Sequence, residues 1–163
     1  MVLINDVLSL VRLNVEIYHN ARLCGDWQVA EHALGATCFH MPTQGDCIMT
    51  VPGEGEWHLK EGDVVLFPNE LPHTMVPAEP LTGEQQHLPI AESQNIAGTS
   101  MLCGAINFHH SGGKQIMQLL PKVLIISGDK AKQWLPALTE LIVTESVYGA
   151  PMDSLILNRL CEL

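Results

Sequence analysis

The sequence predicts a mainly β protein, a sandwich or barrel of short strands with helical segments at its two ends. Three observations carry that expectation. Between Asn14 and Phe108, eight β-prone runs (VEIYHNARL, WQVAEHA, TCFHM, DCIMTV, EWHLK, DVVLF, HTMVP and SMLCGAINF) follow one another, broken by Gly, Pro, Asn and Asp. Their spacing of roughly ten residues suits short strands joined by tight turns. At the front, Val2, Val7, Leu10 and Val11 stand near helical spacing behind Asn5 and Asp6, either of which can cap a short N-terminal helix. At the back, Trp134, Leu138, Leu141, Ile142 and Glu145 recur at three- and four-residue steps, with Pro136 acceptable in a first turn.

The remaining segments fit around this frame. Ala78 to Thr99 is polar and carries Pro80, Gly83, Pro89 and Gly98, which predicts a long loop across the barrel mouth. Gln115 to Leu120 reads as a short helix stopped by Pro121, and VLIIS at 123 to 127 as a strand. After Tyr148-Gly149-Ala150-Pro151, a second terminal helix spans Met152 to Leu163, with Leu155, Ile156, Leu160 and Leu163 on one stripe. We therefore expect a barrel over residues 1–128 and a helical segment over 129–163.

Composition narrows the function classes. The 163 residues suit one domain, and 47% are hydrophobic against 16% charged, which points to a sheltered pocket or a buried partner surface. Eighteen acidic residues against eight Lys plus Arg give a net charge of −10, which repels a phosphate backbone. No apolar run approaches the roughly 18 residues of a membrane span, and Met1-Val-Leu-Ile-Asn-Asp lacks an export signal's basic start. Five scattered cysteines without a C-x-x-C pair fit a reducing compartment, so a cytoplasmic location is expected.

The most informative segment is Gly62-Asp63-Val64-Val65-Leu66-Phe67-Pro68-Asn69-Glu70-Leu71-Pro72-His73. A Gly-Asp turn launches an apolar strand, Pro68-Asn69 turns the chain, and His73 begins the return. This resembles the second half of the cupin motif, whose histidine points into the barrel. His40, followed by Gly45-Asp46, resembles the first half. The likeness implies a cupin barrel, a double-stranded β-helix or jelly roll. It departs from the enzyme-like pattern at one place: Met41 and Pro42 follow His40 where a second histidine is usual, and Gln44 stands near the glutamate's position. The three-His, one-Glu site of cupin oxygenases is therefore missing.

A narrower resemblance takes in most of the chain. DVLSLVRL at 6 to 13, Leu23-Cys24-Gly25-Asp26-Trp27, Phe39-His40, the Gly62-to-His73 block, Leu102-Cys103-Gly104-Ala105-Ile106-Asn107-Phe108 and LLPKVLII at 119 to 126 are similar, in this order, to the cupin-type N-terminal domain of AraC-type transcription regulators. That resemblance implies a sensor of a small-molecule effector that forms a homodimer through its terminal helices. DNA would be reached only through a helix-turn-helix region, which this sequence does not contain. The sequence itself carries no Ser-His-Asp order, phosphate-binding glycine loop or paired-carboxylate set, so no catalytic residues are expected, and the short apolar runs predict no membrane contact.

The same resemblance suggests a metal site. Cys24, His40, His73 and Cys103 fall on or beside predicted strands, and two thiolates with two imidazoles form a set that Zn²⁺ favours, ahead of nickel or iron. The plainer alternative is that the cysteines are small buried residues and the histidines hydrogen-bonded core groups. Cys38 and Cys47, on strands expected to be neighbours, read as core, with one of them able to replace a thiol ligand under a different strand register; Cys161 reads as core. His58, His109 and His110 read as surface positions. Trp27, Trp57 and Met75 are candidates for an effector pocket or for plain barrel core. The rival functions are a small metal-dependent cupin enzyme (isomerase, lyase or dioxygenase) and a storage cupin without ligand.

Overall fold

The computed structural model describes residues 13–31, 36–130, 136–148 and 154–162. In chain order they form β1 (Leu13–Cys24), β2 (Val29–Glu31), β3 (Thr37–Gln44), β4 (Cys47–Val51), β5 (Gly55–Leu59), β6 (Val64–Phe67), β7 (His73–Pro77), β8 (Gln86–Leu88), α1 (Ile90–Ser93), β9 (Gly98–Phe108), α2 (Ser111–Gln118), β10 (Leu124–Ile126), α3 (Pro136–Tyr148) and α4 (Ser154–Glu162). The expected N-terminal helix and Trp134 lie outside the described residues.

Two sheets face each other. One has six strands in the order β10-β6-β3-β9-β1-β8, the other four in the order β2-β7-β4-β5. Every ladder is antiparallel. Alternation along β3 and β9 explains the two apolar layers, since successive side chains point to opposite faces. Cys38 and Cys103 join Leu23, Trp27, Met49, Leu59, Val65, Phe67 and Met75 between the sheets. Phe39, Met41 and Leu102, one residue away on the same strands, join Val15 in a second layer on the outer face, where Ile142 and Val143 of α3 and Cys161 of α4 pack.

Two glycines are required by geometry. Gly45 turns β3 into β4 at φ +78°, and a Cβ there would lie 2.9 Å from the Gly98 carbonyl oxygen. Gly104 sits opposite Phe39 in the β3–β9 register, and a Cβ would stand 2.6 Å from the Phe39 ring. The ring uses the space that a side chain would fill.

The structure departs from the sequence expectations in four places. The 78–99 segment is not all loop, because Gln86–Leu88 pairs with Arg22, Leu23 and Cys24 and so covers that end of β1, while Ile90–Ser93 makes a short buried turn of helix. The helix expected from Gln115 begins at Ser111, with Gly113 buried in its first turn. Cys38 and Cys47 are on different sheets, not on neighbouring strands. On α3, Ile142 and Val143 face the sheet, while Leu141 is 53% and Tyr148 68% exposed.

The terminal helices are tied to β1 at a specific weak point. Among the described residues β8 pairs only with Arg22 to Cys24, and no strand lies beyond the earlier half of β1 on that edge. Its backbone needs other acceptors. Val15 N–H donates to Glu162 Oε1 (3.0 Å) and Ile17 N–H to Asn158 Oδ1 (3.1 Å), both on α4. Asn20 Nδ2 donates to the Ser146 carbonyl of α3 (2.9 Å), and the Ser146 hydroxyl returns a bond to Asn20 Oδ1 (2.8 Å).

Candidate functional site

The site lies between the sheets, where the inner faces of β3 and β9 meet β7. His40 is directly opposite Cys103 in the β3–β9 register, and His19 of β1 is opposite Cys103 on its other side. Residues directly opposite in an antiparallel ladder share a face. His19, Cys103 and His40 thus form a row across three strands. From the second sheet His73 reaches the same space, its Nε2 3.0 Å from His40 Nε2. Both imidazoles are buried, packed on Phe67, which stacks on His73 at 4.5 Å and meets His40 edge-on at 6.0 Å.

The hydrogen bonds fix the protons. His73 Nδ1 lies 2.7 Å from the Leu71 carbonyl, which only accepts, so Nδ1 carries the hydrogen. In a neutral ring that leaves His73 Nε2 as an acceptor, and His40 must donate to it through its own Nε2–H. His40 Nδ1 is then a bare lone pair. It is buried with no hydrogen-bond partner among the described residues. Neutrality of His40 follows from its surroundings: burial foremost, then the neighbouring His73 and His19, push its pKa down from 6.5 to about 3. His19 is also shifted down, chiefly by burial; its Nδ1 contacts the Met101 carbonyl at 3.1 Å.

Two further side chains complete the cluster. Glu70, in the β6–β7 turn, is 2% exposed, and its Oε1 has no hydrogen-bond partner among the described residues. The turn is held inward because Glu70 N–H donates to the Ala36 carbonyl (2.7 Å) and the Thr37 hydroxyl to the Pro68 carbonyl (2.8 Å). Cys38, His40 and Glu70 each offer a ligand atom, and these lie within 4.8 Å of one another. A cleft of about 320 Å³ is lined by Ala36, Thr37 and Ala105, beside Cys38, with His109, His110 and Lys114 further out.

Of the four residues singled out in the sequence, the structure brings His40, His73 and Cys103 to one space and places Cys24 elsewhere. Cys24 is five residues beyond His19 on β1, an odd step, and pairs with Gly98 and Gln86. Its Sγ lies on the Gly98 side, next to a separate cleft bounded by Gly83, Glu84 and Ile96. Trp27 and Met75 are core and Trp57 packs against them. His58 is exposed and pairs with Asp46 at 3.0 Å, and His109 and His110 are exposed. Gln44, near the place of the usual cupin glutamate, accepts a hydrogen bond from the Ser100 hydroxyl at 3.2 Å.

The sequence reading missed His19 and Glu70 and gave Cys38 first as core and only second as a substitute thiol ligand. Strand alternation from Leu23 back through Ala21 to His19 was the available signal for the histidine. No periodic signal exists for Glu70, which lies in a turn.

Comparison with known proteins agrees with this architecture. The cupin family model, described as Cupin, matches residues 3–163. An uncharacterized HTH-type transcriptional regulator of Haemophilus influenzae is 29% identical over 134 residues, covering 76% of this chain and 44% of the relative. The chain thus spans under half the length of that relative. Among solved structures, unsaturated fatty acid-bound ToxT from Vibrio cholerae aligns at a TM-score of 0.47 and 8% identity, over 93% of this chain and 50% of that one. Vicilin from Corylus avellana aligns at 0.32 and 13%, over 91% and 41%. Because the family model runs through nearly every element described above, from β1 to α4, this chain belongs to the cupin family.

Proposed function

We propose that this chain is the effector-sensing and dimerising domain of an AraC-type transcription regulator that acts in the cytoplasm, with residues 1–128 as the sensor and 129–163 as the helical connector. The observation that carries the reading is the double role of β1. His19 lies in the row beside His40 between the sheets, and the next residue, Asn20, holds α3 through Ser146. A molecule that displaces the inner row therefore pulls on the strand that anchors both helices. For such a device to signal, the effector must favour one arrangement of barrel and helices over the other.

The charge of −10 supports a domain that leaves DNA to another region. The Haemophilus influenzae relative, named as an HTH-type regulator and more than twice as long as the matched region, supports the same division of labour. Catalysis is the weaker reading. Pro42 and Gln44 stand where a metal-dependent cupin enzyme would place its second histidine and its glutamate, and Gln44 is engaged with Ser100. Among the described residues no helix is long and apolar enough to cross a membrane.

Leu141 and Tyr148, seven residues apart on α3, share a face and are exposed, which supports α3 as the homodimer contact. Sedimentation across micromolar concentrations tests this. A dimer is expected, with Leu141→Glu shifting it to monomer while the far-ultraviolet circular dichroism stays unchanged. A wild-type chain that remains monomeric throughout overturns the dimerising role.

A further inference from the structure

Buried lone pairs are ordinarily satisfied, because an acceptor removed from water without a donor costs about 1–3 kcal/mol, and more when it is charged. Two such acceptors, His40 Nδ1 and Glu70 Oε1, are found in one three-residue cluster. They do not satisfy each other, since neither has a hydrogen-bond partner among the described residues, and the Leu71–His73–His40 chain of hydrogen bonds leaves Nδ1 without a hydrogen of its own. No Lys or Arg pairs with Glu70 among the described residues. The third member, Cys38, adds a soft sulfur donor.

We propose that Cys38, His40 and Glu70 form a binding site for a divalent transition-metal ion, with Nδ1 as the donor atom of His40 and zinc as the best-matched metal. Sulfur, imidazole nitrogen and carboxylate oxygen are the three donor types that zinc takes. With bonds of about 2.0–2.3 Å, ligand atoms around a tetrahedral ion stand roughly 3.3–3.8 Å apart, so the cluster needs to close by at most about 1.5 Å. His73 is then not a ligand. It accepts from the far nitrogen of His40 and is itself oriented by Leu71, the outer support that metal-bound imidazoles commonly have. Three protein ligands leave a fourth position for water or an exchangeable ligand.

This assignment differs from the four-residue set suggested by the sequence in omitting Cys24 and Cys103, and it rests on side-chain geometry alone, independent of the regulatory reading. Cobalt(II) titrated into the chelator-treated chain distinguishes the two sets. One equivalent is expected to bind, with a thiolate-to-cobalt charge-transfer band in the near ultraviolet. Cys38→Ser is expected to lose the band, and both Cys38→Ser and Glu70→Gln to weaken binding at least tenfold. His73→Gln is expected to keep the band and weaken binding roughly 10- to 100-fold. Cys24→Ser and Cys103→Ser should match the parent. The near-isosteric Glu70→Gln decides the matter if Cys38→Ser fails to fold, as judged by circular dichroism. The proposal is overturned if the folded parent binds no cobalt, if Glu70→Gln binds as tightly as the parent, or if the band disappears in Cys103→Ser instead of Cys38→Ser.

Discussion

The two faces of the six-stranded sheet are built from alternate residues of the same strands and yet have opposite characters. On the outer face Val15, Phe39, Met41 and Leu102 form an apolar seat for α3 and α4. On the inner face the neighbouring positions carry His19, Cys38, His40 and Cys103 among the apolar residues. A face that only had to hold the sheets together would contain hydrocarbon. Imidazole, thiol and carboxyl are concentrated on the inner side at the cost of three unsatisfied acceptors, His19 Nε2, His40 Nδ1 and Glu70 Oε1, and under the proposed function this is the working face. The outer side reads as the one that holds and transmits.

Large-to-small substitutions should separate packing from chemistry. Phe67→Ala removes a fully buried ring that packs against both His40 and His73, and is expected to cost about 3–5 kcal/mol of unfolding free energy. Leu102→Ala, fully buried on the outer face, is expected to cost about 2–5 kcal/mol. Urea unfolding followed by circular dichroism checks both. The comparison sharpens in cobalt affinity, which Phe67→Ala should lower and Leu102→Ala should leave unchanged. Equal effects on affinity would break the division between the faces.

Acid should act on the inner face first. His40 has a folded pKa of about 3 against 6.5 for the ordinary group, so below 6.5 the unfolded chain takes up a proton that the folded chain refuses. Stability is lost as pH falls from 6.5 toward 3, with a slope of at most about 1.4 kcal/mol per pH unit from this group. In chelator-treated protein, His40→Leu should flatten the unfolding free energy over that window. An unchanged slope would mean that His40 is accessible to protons in the folded state.

Much of this division was legible in the sequence, and the part that was not has a physical cause. The Gly62-to-His73 segment announced its strand, turn and return, and placing His40 and His73 in one interior followed from it. Alternation gives facing within one strand, but it does not give the register between strands. Cys24 looked equivalent to Cys103 because both precede a glycine, yet the step of five positions from His19 to Cys24 is odd and turns Cys24 to the other face, and a bulge falls between Ile17 and His19. Glu70 was illegible for a different reason. A glutamate in a turn is ordinarily solvated, and only the backbone bonds of the turn to Ala36 and of Thr37 to Pro68 fold it inward.

The link between β1 and the helices yields smaller effects. Asn20→Ala removes both bonds to Ser146, which is itself buried, and is expected to cost about 0.5–1.5 kcal/mol. Amide hydrogen exchange should rise in α3 while the inner strands β3 and β9 stay protected. Faster exchange in all of these elements together would show that the helices and the barrel open as one unit, with no separate joint for an effector to act on.

Glu162 offers the mildest test, because it separates the outer face from the inner one by pH alone. The Val15 N–H foremost, with Arg159 assisting, holds its carboxyl below the ordinary 4.5. A depressed carboxyl contributes stability that is present above 4.5 and lost as pH falls through the folded value. Protection of the Val15 amide against exchange should therefore persist at pH 5, where His40 is already costing stability, and decline only in stronger acid. Glu162→Gln keeps an acceptor oxygen but removes the charge, so it should make that protection weaker and nearly independent of pH. If the Val15 amide in the parent instead loses protection between 6.5 and 5, in step with the inner face, then α4 is released by the barrel interior and not by its own carboxylate.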